Sequence, residues 1–193
     1  MLRVLIVEDE ILLTFTLRQQ LEERGCEVIG TATNGRAAVE ACCSVHPDLV
    51  LMDIRMPVMD GLEATRLIME QCPTCVLVLT AYGAPDTALR AEAAGAMGYL
   101  TKPVGGHQIL ESVGSAQARF AEFEAMRGEA GDVEAALATR ELVEAAKRVL
   151  SARTGEAGSS FQVLQEMAAH RGSSLRAAAE EILAENGGSA EAA

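Results

Sequence analysis

Leu49-Val50-Leu51-Met52-Asp53-Ile54-Arg55-Met56-Pro57-Val58-Met59-Asp60-Gly61 is the stretch that decides the fold. Its first four residues form a strand-sized apolar run with no polar alternation, the pattern of a strand covered on both faces. The run stops on a carboxylate, Asp53, and Pro57 and Asp60-Gly61 then break the chain before a helical pattern begins. Outward from this segment the same alternation repeats. Candidate strands fall at 2–7, 27–32, 49–52, 76–80 and 97–100, with helical patterns near 11–24, 36–45, 62–71 and 85–94. Gly25 and Gly95 stand where helix-ending glycines belong, and Asn34-Gly35 and His46-Pro47 mark turns. Five such units predict an α/β domain with a doubly wound parallel sheet, which places ligands at the carboxyl ends of its strands.

The composition agrees with a folded chain. Of 193 residues, 49% are apolar and 23% charged, enough for one domain or two small ones. Apolar runs such as Val76–Leu79 are far shorter than the roughly 18 residues of a membrane span. The opening Met1-Leu2-Arg3-Val4 lacks a signal-peptide layout, so a cytoplasmic location is expected. Five cysteines (26, 42, 43, 72 and 75) read as reduced thiols. Cys72-Pro73-Thr74-Cys75 has redox spacing, but it precedes a strand rather than opening a helix, and no second pair completes a zinc site. A net charge of −12 argues against indiscriminate coating of nucleic acid. Within 146–179 the sign reverses: Lys147, Arg148, Arg153, Arg171 and Arg176 face only Glu156 and Glu166.

The first strand runs into Glu8-Asp9-Glu10 and the third into Asp53. In a parallel sheet these ends converge, and clustered carboxylates need a cation or protons to offset their repulsion. Oxygen ligands with room for water favour Mg²⁺. Thr80 closes the fourth strand with a hydroxyl, and the fifth leads to Thr101-Lys102-Pro103, bringing an ammonium to the same rim. Carboxylates, a metal, a hydroxyl and a lysine are the parts that move a phosphoryl group onto Asp53.

These segments, together with Thr80-Ala81 and Gly95-Ala96-Met97-Gly98-Tyr99-Leu100-Thr101-Lys102-Pro103, resemble the receiver domain of two-component response regulators over about residues 1–120. The resemblance implies a flavodoxin-like five-stranded sheet of order 2-1-3-4-5. It implies that Asp53 accepts a phosphoryl group from a sensor histidine kinase. Asp9, Asp53 and the backbone carbonyl of Arg55 would bind Mg²⁺, with Glu8 assisting through water. It further implies that Lys102 steadies the phosphoryl group, that Thr80 and Tyr99 form a switch, and that Lys102-Pro103 is a site for a cis peptide.

No strand pattern follows Gly106. Ile109, Val113, Ala116, Phe120 and Phe123 form an apolar seam longer than the first domain needs, so 121–131 is expected as a helical linker with a possible short coiled coil, breaking near Arg127–Gly131. Three helices then compose a small all-α domain over 132–186: 133–153, 161–170 and 175–185, the last stopping at Asn186-Gly187 before a disordered tail, 187–193. Ser159 or Ser160, and Ser173 or Ser174, are candidate helix caps. The residues alone indicate a helical bundle and nothing finer. Ala136 to Leu150, then Phe161 to Leu164, then Leu175 to Leu183, are similar to the ANTAR domain, an RNA-binding antitermination module. Arg148, Ser151 and Ser160 depart from that pattern, where Gly, Met and Ala are usual. The resemblance implies a homodimer on activation that binds stem-loops in a leader transcript, with Lys147, Arg148 and Arg176 as RNA contacts and Arg153 and Arg171 as further candidates.

The combined expectation is a phosphorylation-controlled antiterminator, not an enzyme, with no membrane partner and no small-molecule substrate. A receiver coupled to a helical dimerisation or protein-interaction module without RNA binding is the alternative. A DNA-binding output fits poorly, since 175–185 carries one basic residue against three acids. An aspartyl-phosphate hydrolase would place a second carboxylate where Arg55 stands.

Overall fold

A computed structural model describes residues 1–81, 85–131, 133–154 and 160–190. It divides into two compact units, Met1–Phe120 and Ala121–Ala193. The first contains β1 (Arg3–Val7), α1 (Ile11–Glu22), β2 (Glu27–Ala32), α2 (Gly35–Val45), β3 (Leu49–Asp53), α3 (Gly61–Gln71), β4 (Val76–Thr80), α4 (Pro85–Ala93), β5 (Gly98–Thr101) and the start of α5 (Gly106–Ala130). The strands form one parallel sheet of order β2-β1-β3-β4-β5, the doubly wound arrangement expected from the alternating pattern.

Strand residues alternate between faces. Leu5, Val7, Val50, Met52, Val76 and Val78 share a core with Ala38, Val39 and Cys42 of α2 and Leu62, Ala64 and Ile68 of α3. Their alternates Val4, Ile6, Leu51, Leu77 and Leu79 are equally buried, so both faces are covered and the strands contain almost nothing polar. Helix ends are fixed by polar groups. Asn34 Oδ1 accepts from Ala37 N at the start of α2, and the Arg3 guanidinium donates to the Val45 and His46 carbonyls at its end, where a cation offsets the helix dipole. The Lys102-Pro103 peptide is cis.

The thiol expectation is corrected at one pair. Cys43 on α2 and Cys72 at the end of α3 are joined by a disulfide, their Cα atoms 5.3 Å apart. The packing of α2 against α3 brings together residues far apart in sequence, whereas Cys26, Cys42 and Cys75 remain free and buried. Cys42 lies against Thr74, Sγ to Oγ1 3.3 Å.

The second unit comprises the end of α5 with α6 (Val133–Thr154), α7 (Ser160–Arg171) and α8 (Leu175–Ala190). Residues 121–131, expected as a helical linker, are helical as far as Ala130 and contribute to the core of the second unit. α5 continues to Ala130 and ends where Gly131 takes a positive φ of 82°. Its Met126 belongs to the core of Val143, Ala146, Leu150, Leu164, Ala168, Leu175, Ala178, Ala179 and Ile182, and Phe123 is wholly buried. α5 is thus a fourth helix of the bundle, since the apolar seam continues into its core. α8 also outruns its expected stop, passing Asn186-Gly187 to Ala190. A helical glycine costs only about 1 kcal/mol, too little to stop a helix unaided. Ser174 caps α8, its Oγ accepting from Ala177 N, while Ser160 lies within α7. The candidate cap Ser159 and the last three residues of the tail lie outside the described residues.

Candidate phosphoacceptor site and helical output surface

Val7 of β1 pairs with Met52 of β3, so the next residues, Glu8 and Asp53, leave the sheet side by side. This is where the strand order reverses, the usual crevice of such sheets. Ligand oxygens of Glu8, Asp9 and Asp53 lie within 4.8 Å of one another. Lys102 reaches in from the turn after β5, held by its backbone N–H donating to the Thr80 carbonyl at 2.7 Å. Its Nζ stands 2.7 Å from Glu8 Oε2 and 3.0 Å from Asp53 Oδ1.

The electrostatics follow from burial. Glu8, whose side chain is fully covered, has its pKa raised by desolvation, with the Asp53 charge adding and the Lys102 hydrogen bond opposing. Burial alone would lower the Lys102 pKa, but hydrogen bonds and charge from Glu8 and Asp53 outweigh it and raise the value. The ammonium therefore stays charged between two carboxylates. One cation beside three acids leaves the cluster net negative. A divalent ion with oxygen preference fits that donor set, with Glu8, Asp9 and Asp53 as the residues to hold it.

Thr80 ends β4 at the same rim, its hydroxyl donating to the Ala81 carbonyl at 3.2 Å. Tyr99, on edge strand β5, is 53% exposed. Arg55 is exposed in the loop after Asp53. The sequence marks Asp60-Gly61 as a turn and as part of the receiver resemblance, but not the close contact that the glycine makes. Gly61, first in α3, packs so close that an added Cβ would stand 1.9 Å from the Asp53 carbonyl oxygen. The neighbouring Asp60 caps α3 through Leu62 N and Glu63 N.

In the helical unit the candidate RNA contacts differ in availability. Lys147 is drawn in, its Nζ 2.7 Å from Glu122 Oε2 on α5, 3.1 Å from Glu144 Oε1, and 5.8 Å from the centre of the Phe161 ring. Arg176 pairs with Glu180, Arg153 with Glu185 and Arg171 with Glu181, all at exposed positions. Arg148 is exposed and makes no ion pair among the described residues. Ser151 and Ser160, two of the departures from the ANTAR pattern, are hydrogen-bonded to each other at 2.9 Å, so the bundle accommodates them as a pair.

Comparison with known proteins agrees with this division. Residues 4–114 match the response regulator receiver domain, and residues 131–183 match the ANTAR domain. The chain belongs to the response regulator family. It is a receiver followed by an ANTAR output domain. The transcriptional regulatory protein PdtaR of Mycobacterium tuberculosis strain H37Rv is 38% identical over 182 residues, 94% of this chain and 89% of that protein. A protein-glutamate methylesterase/protein-glutamine glutaminase of Archaeoglobus fulgidus is 45% identical over 115 residues, but that covers 58% of this chain and 33% of the relative. Its likeness is confined to the receiver. The response regulator domain of Thermotoga maritima CheB superposes with a TM-score of 0.56 at 32% identity, covering 61% of this chain and 96% of that one. As a response regulator, the chain has its acidic crevice where receivers bind Mg²⁺. No helix among the described residues is long and apolar enough to cross a membrane.

Proposed function

We propose that Asp53 accepts a phosphoryl group from the phosphohistidine of a sensor kinase and that this controls RNA binding by the ANTAR unit in transcription antitermination. The observation carrying the reading is Lys102 Nζ between Asp53 Oδ1 and Glu8 Oε2 at the reversal of strand order. An Asp53 oxygen attacks phosphorus in line, the P–N bond to the kinase histidine breaks, and the imidazole leaves with that electron pair. Lys102 offsets charge on the phosphoryl oxygens. Bound Mg²⁺ would supply further charge stabilisation at those oxygens. Thr80 turns its hydroxyl from Ala81 toward the new phosphoryl group, and Tyr99 moves inward from its exposed position. Ile11, Leu12 and Phe15, exposed at 79%, 82% and 65% directly after the acidic cluster, offer an apolar face for the kinase.

On the output side, Lys147, Arg148 and Arg176 contact paired stem-loops of a leader transcript as the chain dimerises. The pairing of Lys147, Arg153, Arg171 and Arg176 with carboxylates favours a second reading, a helical dimerisation module that does not bind RNA. Intact-mass measurement after acetyl phosphate treatment tests the receiver: wild type gains one phosphate and Asp53→Asn gains none. A phosphorylated Asp53→Asn variant refutes the assignment. Gel filtration with beryllofluoride and leader RNA separates the two outputs, since a dimer that carries RNA supports antitermination and a dimer indifferent to RNA supports the interaction module.

A further inference from the structure

Among the paired cations of the basic cluster, Lys147 is the most covered. Its side chain is 19% exposed, against 41%, 49% and 50% for Arg153, Arg171 and Arg176. Two carboxylates share its ammonium, leaving the trio one negative charge overall. They differ in origin. Glu144 lies one turn away on the same helix, so it travels with Lys147 wherever α6 goes. Glu122 comes from α5, is itself only 20% exposed, and makes the shorter contact.

A phosphate group seeking Lys147 meets an occupied ammonium and a net negative surround, and gains little unless one carboxylate leaves. Glu122 is the one that a displacement of α5 removes. It is not the only α5 acid in such a position. Two turns on, Glu129 Oε2 accepts from Leu175 N at the start of α8, where the helix dipole also attracts an anion. α5 thus presents two carboxylates, on one side, to two anion-seeking points of the bundle.

We propose that Glu122 is an internal competitor for RNA phosphate at Lys147, which keeps that contact closed until the α5 carboxylate is withdrawn or neutralised. This regulation rests on the reading of the helical unit as RNA-binding. It also accounts for an RNA contact lying in an acidic unit: the cation is held in reserve rather than displayed. Glu122 sits on the helix that begins in the receiver unit at Gly106, so the competing charge and the phosphorylated unit share one element.

Fluorescence anisotropy of the full chain with a fluorescein-labelled RNA of two tandem hairpins, at low salt, tests the competition. Glu122→Gln keeps the shape of the side chain and removes its charge, and the expected result is binding about tenfold tighter than wild type. That gain disappears in a Glu122→Gln, Lys147→Gln double variant, because the competitor acts only through Lys147. Glu122→Asp, which withdraws the carboxylate by one methylene, gives a smaller gain and serves should the first variant misfold by circular dichroism. A purely structural ion pair predicts the opposite sign: loosening it leaves RNA affinity unchanged or reduced, and that result, with wild type binding normally, overturns the competitor alone. If neither wild type nor Glu122→Gln retains the RNA at low salt, the RNA-binding reading fails and the competitor falls with it.

Discussion

Gly61→Ala puts a single methyl group against the phosphoacceptor. The new Cβ would lie 1.9 Å from the Asp53 carbonyl oxygen, 2.8 Å from its carbonyl carbon and 2.9 Å from Met52 Cγ. A carbon and a carbonyl oxygen approach to roughly 3.3 Å. A gap of more than an ångström must therefore open, and since the nearest atoms are backbone, no side-chain rotation provides it. The start of α3 has to lift from the end of β3, at the expense of the Gly61 N–H bond to the Ile54 carbonyl, now 2.9 Å. Overpacking costs about 1–3 kcal/mol and the hydrogen bond about 1 kcal/mol, while the stiffer unfolded chain returns less than about 1 kcal/mol. The net loss is roughly 2–3 kcal/mol, or about 5–10 °C in melting temperature for a chain of this size. Phosphorylation suffers more than stability, because a displacement of about 1 Å at a reacting group costs on the order of a hundredfold in rate. Calorimetry of the full chain and the rate of mass gain with acetyl phosphate read the two effects. A melting point within a degree of wild type, or an unchanged rate, refutes the close approach and the role of Gly61 in placing Asp53.

Lys102→Met leaves Glu8 and Asp53 facing each other without the ammonium and lowers stability by about 3–5 kcal/mol where both are ionised. Loss of the Lys102 hydrogen bond raises the Glu8 pKa beyond its already raised value. The stability of a carboxyl whose folded pKa is raised is fully present below the unfolded value and lost as pH climbs through the folded one. The variant should therefore approach wild type near pH 4.5 and fall behind as pH rises; a deficit constant across that span in urea melts contradicts the charge account. For the cysteines, iodoacetamide should label none in the native chain, with burial pushing the Cys75 thiol up to about 12. Denaturation without reductant should expose three thiols and reduction all five. Five labels without reductant would exclude the Cys43–Cys72 bridge. Gly128→Ala, inside α5 with nothing within 4 Å of the new Cβ, should stabilise by about 0.5–1 kcal/mol in thermal melts; no gain would mean that the helix breaks there.

The first unit was legible because its signals are local and its topology converts them into a site. Apolar runs identify the strands, and a parallel order aligns their carboxyl ends, so Glu8, Asp53 and Lys102 meet although 94 positions separate the first from the last. What escaped depends on distances that no local pattern records. Cys43 and Cys72 look like surplus thiols until α2 packs against α3. Asp60-Gly61 reads as a turn whether or not a carbonyl lies beneath the glycine. Ser151 and Ser160 read as two departures from a family pattern, yet form one contact. Lys147 reads as a surface cation with a same-helix partner in Glu144, because Glu122, the carboxylate that covers it from α5, is 25 residues away.

α5 shows why the domain boundary was the hardest feature to read. Gly128 and Gly131 are alike in sequence, and both suggested a break, but only Gly131 takes a positive φ. Ile109, Val113 and Ala116 are buried in the first unit, whereas Phe123 and Met126, on the same helical stripe, are buried in the second. A seam that continues past one core looks in sequence like a coiled coil awaiting a partner chain, but here the partner is the bundle that follows. The consequence is energetic as well as descriptive. Phe123 and Met126 each contribute about 1.5–3 kcal/mol by burial to a small unit with little core to spare. Without the end of α5 the helical unit would lose that apolar anchor together with the Glu122 and Glu129 carboxylates that engage Lys147 and α8. The output unit therefore starts before the three-helix pattern does, on the helix that opens in the receiver.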